Sequence, residues 1–270
     1  MDLNFRNVQR LCAGVDLAAE RPTINLTGIT WIEPYAIVYL GMFLRYHNSL
    51  GKFFHLNVPN EAVSQYLSRQ NFWNRFNFNI DLQRDRGLLR TYQDTGFDED
   101  IIDIERKGFL VEELGEKLYE FLADRSVNLA ISDAVIAITD LADNFREHSG
   151  VVLGAMMVQH YPKKHIMRVA LGDCGKGIKT TLSESGKYPE VDSMSHAEAI
   201  AFAFKPTVTC KPEGGTGLCD VLDTVARHKG TLFLSSQDGG FFLDEDGKIY
   251  SMKTPYALPG VQVELTLYER

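Results

Sequence analysis

Three short stretches of this chain combine residue types that could do chemistry. In DLADNFREHSG, residues Asp140 to Gly150, Asp140, Asn144 and His148 are spaced four apart, so a helix would align a carboxylate, an amide and an imidazole on one stripe. Such a set can position water, coordinate a hard cation through oxygen and meet an anionic group. An ordinary amphipathic helix end accounts for the same letters, with Ala134, Ile138, Leu141 and Phe145 buried and Asp143, Arg146 and Glu147 in solvent. In LGDCGKGI, residues Leu171 to Ile178, an Asp ends a β-type run and is followed by Gly175 and Gly177. That pattern offers a fixed acceptor beside a loop that can approach a ligand closely, suited to an exocyclic amine such as that of adenine; a plain turn is the simpler alternative. In EGGTGLCDV, residues Glu213 to Val221, a glycine-rich turn opens a helix, where free N–H groups and the helix dipole favour phosphate, although a flexible loop would read the same.

GDCGKGIKT also invites comparison with a phosphate loop, since Gly172 and Gly177 have the spacing of GxxxxGK[ST]. Ile178 stands where the lysine belongs, and Lys179 is one residue too far on, so that reading is rejected.

The elements that must position these stretches follow from periodicity. Pro22 to Leu26 and Phe53 to Val58, the latter ended by Pro59, read as strands; Glu33 to Tyr46 and Glu61 to Ser68 read as helices. Their order predicts a small α/β unit with parallel strands. The charged stretch from Asp81 to Lys107 lacks a sustained apolar period and reads as a connection. Beyond it, helices are expected at Val111 to Asp124, Asn128 to Glu147 and Leu218 to His228. Strands are expected at Val151 to Tyr161, His165 to Leu171, Thr231 to Ser235 and Val261 to Leu267.

A formal net charge of −8 over 270 residues argues against nucleic acid as the main partner, because phosphate-backbone affinity comes from basic patches. The longest apolar stretch, near Tyr35 to Leu44, is short of the roughly 20 residues that span a bilayer, so no membrane insertion is expected. Cys12, Cys174, Cys210 and Cys219 lack zinc-ligand spacing and read as free thiols of a cytoplasmic protein; oxidation of Cys174 could block its loop if its pKa were lowered. Phe72, Trp73, Phe76 and Phe78 read as a buried aromatic cluster rather than a stacking platform. The other histidines lack catalytic companions.

In order and separation, the three motifs resemble the N, G1 and G2 boxes of the GHKL superfamily of gyrase, MutL, the histidine kinases and the anti-sigma-factor serine kinases. The resemblance covers roughly Val111 to Arg270, with GVQVELTL as the closing strand and His196 to Glu213 where the family has its flexible ATP lid. It implies that Asn144 ligates Mg2+ bridging the phosphates of ATP and that Asp173 accepts from the adenine amino group. Gly175 and Gly177 border the nucleotide. Gly215, Thr216, Gly217 and Leu218 form the phosphate turn, with His148 and Lys211 adding donor or positive character. Members that cleave ATP carry a Glu where this chain has Asp140, one methylene shorter, which places the catalytic base in question.

The amino-terminal half, with TINLTGITWIEPYAIVYLGMFLRY, GKFFHLNVP and YLSRQNFW, is similar to STAS domains, but Ile32, Glu33, Pro34, Tyr35 and Ala36 stand where phosphorylatable members carry serine. The resemblances imply an α/β chain: a STAS-like domain over 1–95, a linker over 96–110, and a Bergerat α/β sandwich over 111–270 with helices on one face of a mixed sheet. The implied activity is that of an ATP-binding signalling regulator acting on a protein partner, as a serine/threonine kinase or weak ATPase with Asp140 as base. The alternative is a nucleotide-gated binding or assembly module, a homodimer included, that holds ATP without hydrolysing it.

Overall fold

The structure, a computed structural model, describes residues 1–57, 60–76, 102–105, 111–125, 130–151, 153–209 and 218–269. The amino-terminal half contains β1 (Asp2–Leu3), α1 (Val8–Ala13), β2 (Thr23–Asn25), β3 (Trp31–Ile32), α2 (Pro34–Ser49), β4 (His55–Asn57), α3 (Glu61–Arg69) and α4 (Phe72–Arg75). β1 pairs with β3 and β2 with β4, both in parallel, as a strand–helix–strand order predicts. Pro34 opens α2 behind an extended Glu33, where a fixed φ suits the helix and the missing N–H has no partner to lose. Asn60 caps α3, its side chain accepting the Val63 N–H at 3.1 Å. Val58 and Pro59 lie outside the described residues.

The rest of the chain contains β5 (Ile102–Glu105), α5 (Val111–Asp124), α6 (Ile131–His148), β6 (Leu153–Tyr161), β7 (Ile166–Gly172), α7 (Ile178–Glu184), α8 (His196–Ala203), α9 (Leu218–Arg227), β8 (Thr231–Leu243) and β9 (Ile249–Tyr268). The chain is therefore mixed α/β, as expected. Strands β5 to β9 form one sheet in the order β5-β6-β7-β9-β8, and every adjacent pair is antiparallel. This corrects the expectation of a mixed sheet. β6–β7 and β8–β9 are neighbours in sequence, and the excursion through α7 to α9 brings β8 to the far edge instead of beside β7.

A second correction concerns the charged stretch read as a connection. Within it, Ile102–Glu105 is the edge strand, with Ile102 opposite Met156 and Glu105 opposite Leu153. The alternation Ile-Asp-Ile-Glu has a strand's period of two, hidden in a run of charges. Residues 81–101 and 106–107 of that stretch lie outside the described residues.

Both faces of the sheet are covered, and alternate residues along β6, β7, β8 and β9 serve the two sides. Met156, Val158, Met167, Val169, Leu171, Leu232, Leu234, Val263 and Leu265 join the core built with α5, α6, α8 and α9. Ala155, Met157, Ala170, Phe233 and Leu258 belong to the other core, with the amino-terminal half. α2 lies against that second face, and every residue from Pro34 to Leu44 is buried. The broad apolar face expected of α2 is thus an apolar circumference, as a helix enclosed on all sides requires. Small strand residues let it come close: a Cβ on Gly172 would stand 2.8 Å from Val38 Cγ1. On α2, a Cβ on Gly41 would stand 2.4 Å from Phe76 Cζ, and Phe72, Trp73 and Phe76 are buried as expected, while Phe78 lies outside the described residues.

Gly41→Ala is therefore expected to destabilise the fold. Overpacking of about 1–3 kcal/mol outweighs the roughly 1 kcal/mol that alanine gains over glycine in a helix. Urea unfolding should show the loss, and Phe76→Leu in the same chain should recover part of it; a Gly41→Ala protein as stable as the parent would contradict the packing described.

Candidate functional site

α6 ends at His148, and the chain turns through Ser149 and Gly150 before entering β6. The loop that follows β7 is pinned to this helix end. Lys176 N–H donates to the Ser149 carbonyl at 2.8 Å, and a Cβ on Gly175 would lie 2.0 Å from that same oxygen. No side chain fits at 175, so a glycine there is what lets the loop after β7 touch α6. Gly177 is held differently. It begins α7 with φ +77, and a Cβ on it would stand 2.6 Å from Ser236 Oγ. That hydroxyl accepts the Ile178 N–H at 3.1 Å and donates to the Gly260 carbonyl at 2.8 Å, tying the start of α7 to β8 and β9.

These contacts shape a cleft between the end of α6, the loop after β7, α7, the start of α9 and β9. Its walls are largely apolar, with Leu141, Phe145, Leu171, Ile178, Leu182, Val208, Val261 and Val263 among them. Asn144, His148, Ser149, Asp173, Thr181 and Thr209 bring polar atoms to it. An apolar cleft with a few convergent polar groups is the usual form of a small-molecule site.

Among the groups that line the cleft, Asp173 is strongly altered by its surroundings. It is 3% exposed, and its carboxylate accepts the Gly175 N–H at 2.6 Å. Burial pushes its pKa up to about 7, against the opposing pull of hydrogen bonds from the backbone of Gly175 and Val261. Its main chain is fixed as well: Asp173 N–H donates to Val261 O at 3.0 Å, and Gln262 Nε2 donates to Asp173 O at 2.7 Å. Gly260, with φ +86, leaves room for this residue, since a Cβ there would lie 2.2 Å from Asp173 O.

No protein-family model matches this sequence, and comparison with curated proteins gives no match.

Of the residues singled out from the sequence, Asn144, His148, Asp173, Gly177 and Leu218 line this one cleft. Gly175 lies behind it as the donor to Asp173. Asn144 is half-buried, and its buried Nδ2 has no hydrogen-bond partner among the described residues, an unusual state for an amide and one that a ligand could relieve. His148 Nε2 stands 3.7 Å from Glu147 Oε2. Asp140 is half-buried one turn earlier on α6 and is not among the residues that line the cleft. Lys211, Gly215, Thr216 and Gly217 lie outside the described residues. Lys179 donates to the carbonyls of Met194 at 2.5 Å and Asp192 at 3.2 Å, away from the cleft, in keeping with the rejected phosphate-loop reading.

One sequence expectation is corrected here. The segment placed where a flexible lid would lie begins with an ordered helix, α8, whose Ala199 and Ile200 are fully buried; Phe204 just after it stacks on Phe241 at 4.3 Å. A capping box explains why it forms: Ser195 Oγ accepts the Glu198 N–H at 3.3 Å, and Glu198 Oε2 accepts the Ser195 N–H at 2.7 Å. Residues 210–213 of that segment lie outside the described residues. The condition under which Cys174 would be reactive is not met: its thiol is pushed up to about 12 by burial and by the neighbouring Asp173 carboxylate, the reverse of what a reactive thiol needs. Ser236, Gly260 and Gln262 passed unnoticed in the sequence because a lone serine, glycine or glutamine in a strand carries no local signal of a contact made across the sheet.

The raised pKa of Asp173 makes stability depend on pH. The unfolded carboxyl titrates near 3.8 and the folded one near 7, so the folded state holds its proton more tightly. That stabilisation is complete below about pH 4 and is lost as pH rises through about 7. Glu264, buried and likewise raised to about 7, acts in the same window with the same sign. Thermal unfolding of Asp173→Asn and the parent at pH 5 and pH 8 should show a smaller fall on raising the pH in the variant. Equal falls would contradict the burial described.

Proposed function

We propose that this chain binds Mg2+-ATP in the cleft at the end of α6 and uses the nucleotide to control a protein partner. The observation that carries this reading is Asp173, a buried carboxylate at an apolar cleft, held by a backbone N–H and still able to accept from a ligand. An exocyclic amino group is the natural donor to such a group, and the apolar walls suit the faces of a purine ring. Asn144 and His148, at the opposite end of the motif set, line the same space and suit the phosphate end. The buried, unpartnered Asn144 amide fits a role beside Mg2+, since turning the amide would offer its oxygen, and the metal when bound would neutralise phosphate charge. A GHKL-type pocket behind a STAS-like layer accounts for these positions together, and anti-sigma serine kinases are the activity such an arrangement suggests.

The second reading, a module that holds ATP without cleaving it, is favoured by one feature. Asp140, the residue available as base, does not line the cleft, and its side chain is a methylene shorter than glutamate. On this reading the nucleotide-loaded form docks to a partner or to a second copy of the chain, and the nucleotide acts by favouring one conformation.

Calorimetry with Mg2+-ATP should give saturable binding that Asp173→Ala weakens by about 10- to 100-fold, the value of a hydrogen bond to a charged group. Unchanged affinity in that variant would sink the assignment of the cleft. Incubation with ATP labelled on the γ-phosphate then separates the two readings. Label on protein, or free phosphate, that disappears in Asp140→Asn identifies an enzyme with that base, whereas ATP that stays bound and intact supports the switch.

A further inference from the structure

Five buried polar residues run in a line from the amino-terminal layer to the floor of the cleft. Gln9 on α1 donates from Nε2 to Tyr35 Oη at 3.2 Å. Tyr35, near the start of α2, meets Ser235 Oγ of β8 at 2.9 Å. Ser235 Oγ donates to Gln262 Oε1 of β9 at 3.3 Å, and Gln262 Nε2 donates to Asp173 O at 2.7 Å. None of the five side chains is more than 3% exposed.

The direction of every proton in this line is determined. Gln262 Nε2 faces two carbonyls, those of Asp173 and of Pro259 at 3.1 Å, which accept only; the amide oxygen must therefore face Ser235. Ser235 has one proton and gives it to that oxygen, so it accepts from Tyr35. Tyr35 has one proton and gives it to Ser235, so it accepts from Gln9. Each hydroxyl thus donates once and accepts once, and removing any one reverses or empties its neighbours' bonds.

We infer that Tyr35, Ser235 and Gln262 are positioning residues that set Asp173 for its ligand and couple the amino-terminal layer to the affinity of the cleft. This rests on the reading of the cleft as a nucleotide site. The coupling runs both ways: whatever shifts α1 and the start of α2 changes nucleotide affinity, and nucleotide alters the mobility of that layer by the same free energy. The physical ground is a continuous chain of directed bonds whose last member is the main chain of the residue that would recognise the base, not mere proximity.

The test compares Tyr35→Phe, Ser235→Ala, Ser235→Thr and the double variant Tyr35→Phe/Ser235→Ala, all full-length. Two measurements are made: Mg2+-ADP affinity by calorimetry, and the amide shift of Gly175, which reports its bond to the Asp173 carboxylate in nucleotide-free protein. Tyr35→Phe and Ser235→Ala should each weaken binding by about 5-fold or more. Both should move the Gly175 amide in the same direction. Ser235→Thr, which keeps the hydroxyl, should restore both, and the double variant should be no worse than the worse single one. Losses that multiply in the double variant, or an unmoved Gly175 amide and unchanged affinity in Tyr35→Phe while the melting temperature falls, would overturn the relay. If the Gly175 amide moves as expected but no protein, the parent included, binds nucleotide, the relay stands and the nucleotide reading fails.

Discussion

A sheet whose strands are apolar on both faces cannot leave either face in water, and most of this molecule follows from that requirement. Helices α5, α6, α8 and α9 close one side, and α2 with the rest of the amino-terminal half closes the other. Each fully buried aliphatic or aromatic side chain contributes about 1.5–3 kcal/mol relative to exposure, so either cover lost alone would expose a row of such residues. The two halves of the chain accordingly meet at this layer of strands. Polar bonds add register to this contact. Tyr66 donates to Gln159 at 2.9 Å, His47 meets Tyr256 Oη at 2.6 Å, and Arg168 pairs with Glu33 at 2.5 Å.

The cleft exists because the backbone comes unusually close to itself around Asp173. Gly175 touches the carbonyl that ends α6, Gly177 touches Ser236, and Gly260 touches Asp173 itself. With side chains at those three places the loop after β7 would be pushed away from α6 and β9, and the carboxylate would reach solvent. Its exclusion from water raises its pKa toward neutrality and makes any donor that reaches it worth more than the same donor in water. Packing of glycines thus sets an electrostatic property of the site.

A second buried carboxylate marks the junction of the two halves. Glu264 of β9 accepts the Tyr35 N–H at 3.3 Å at the start of α2, close to the Arg168–Glu33 pair, and burial also raises its pKa to about 7 despite the attraction of Arg168. A free N–H at a helix start favours an acceptor, and here a side chain from the sheet supplies it. Tyr35 therefore meets the sheet twice, through its backbone at Glu264 and through its hydroxyl at Ser235.

What the sequence by itself determined is everything that depends on local pattern. Helices α2, α3, α5 and α9 and strands β2, β6 and β7 fall where periodicity places them, and the four-residue spacing in α6 and the Asp-x-Gly-x-Gly loop brought Asn144, His148, Asp173 and Gly177 to one cleft. Turns, caps and amphipathic stripes are written in neighbouring residues, so they can be read from neighbouring residues. Only the tertiary structure decided that Ile102–Glu105 is a sheet edge, that α8 is an ordered wall, that Asp140 stands apart from the cleft lining, and that the amino-terminal half packs on the second face of the five-stranded sheet. It also decided the roles of Ser236, Gly260 and Gln262, whose partners lie 24 to 89 residues away in the chain. Such roles come from contacts across strands and layers, where a residue's meaning is set by what folding places opposite it, and no window along the chain contains both members.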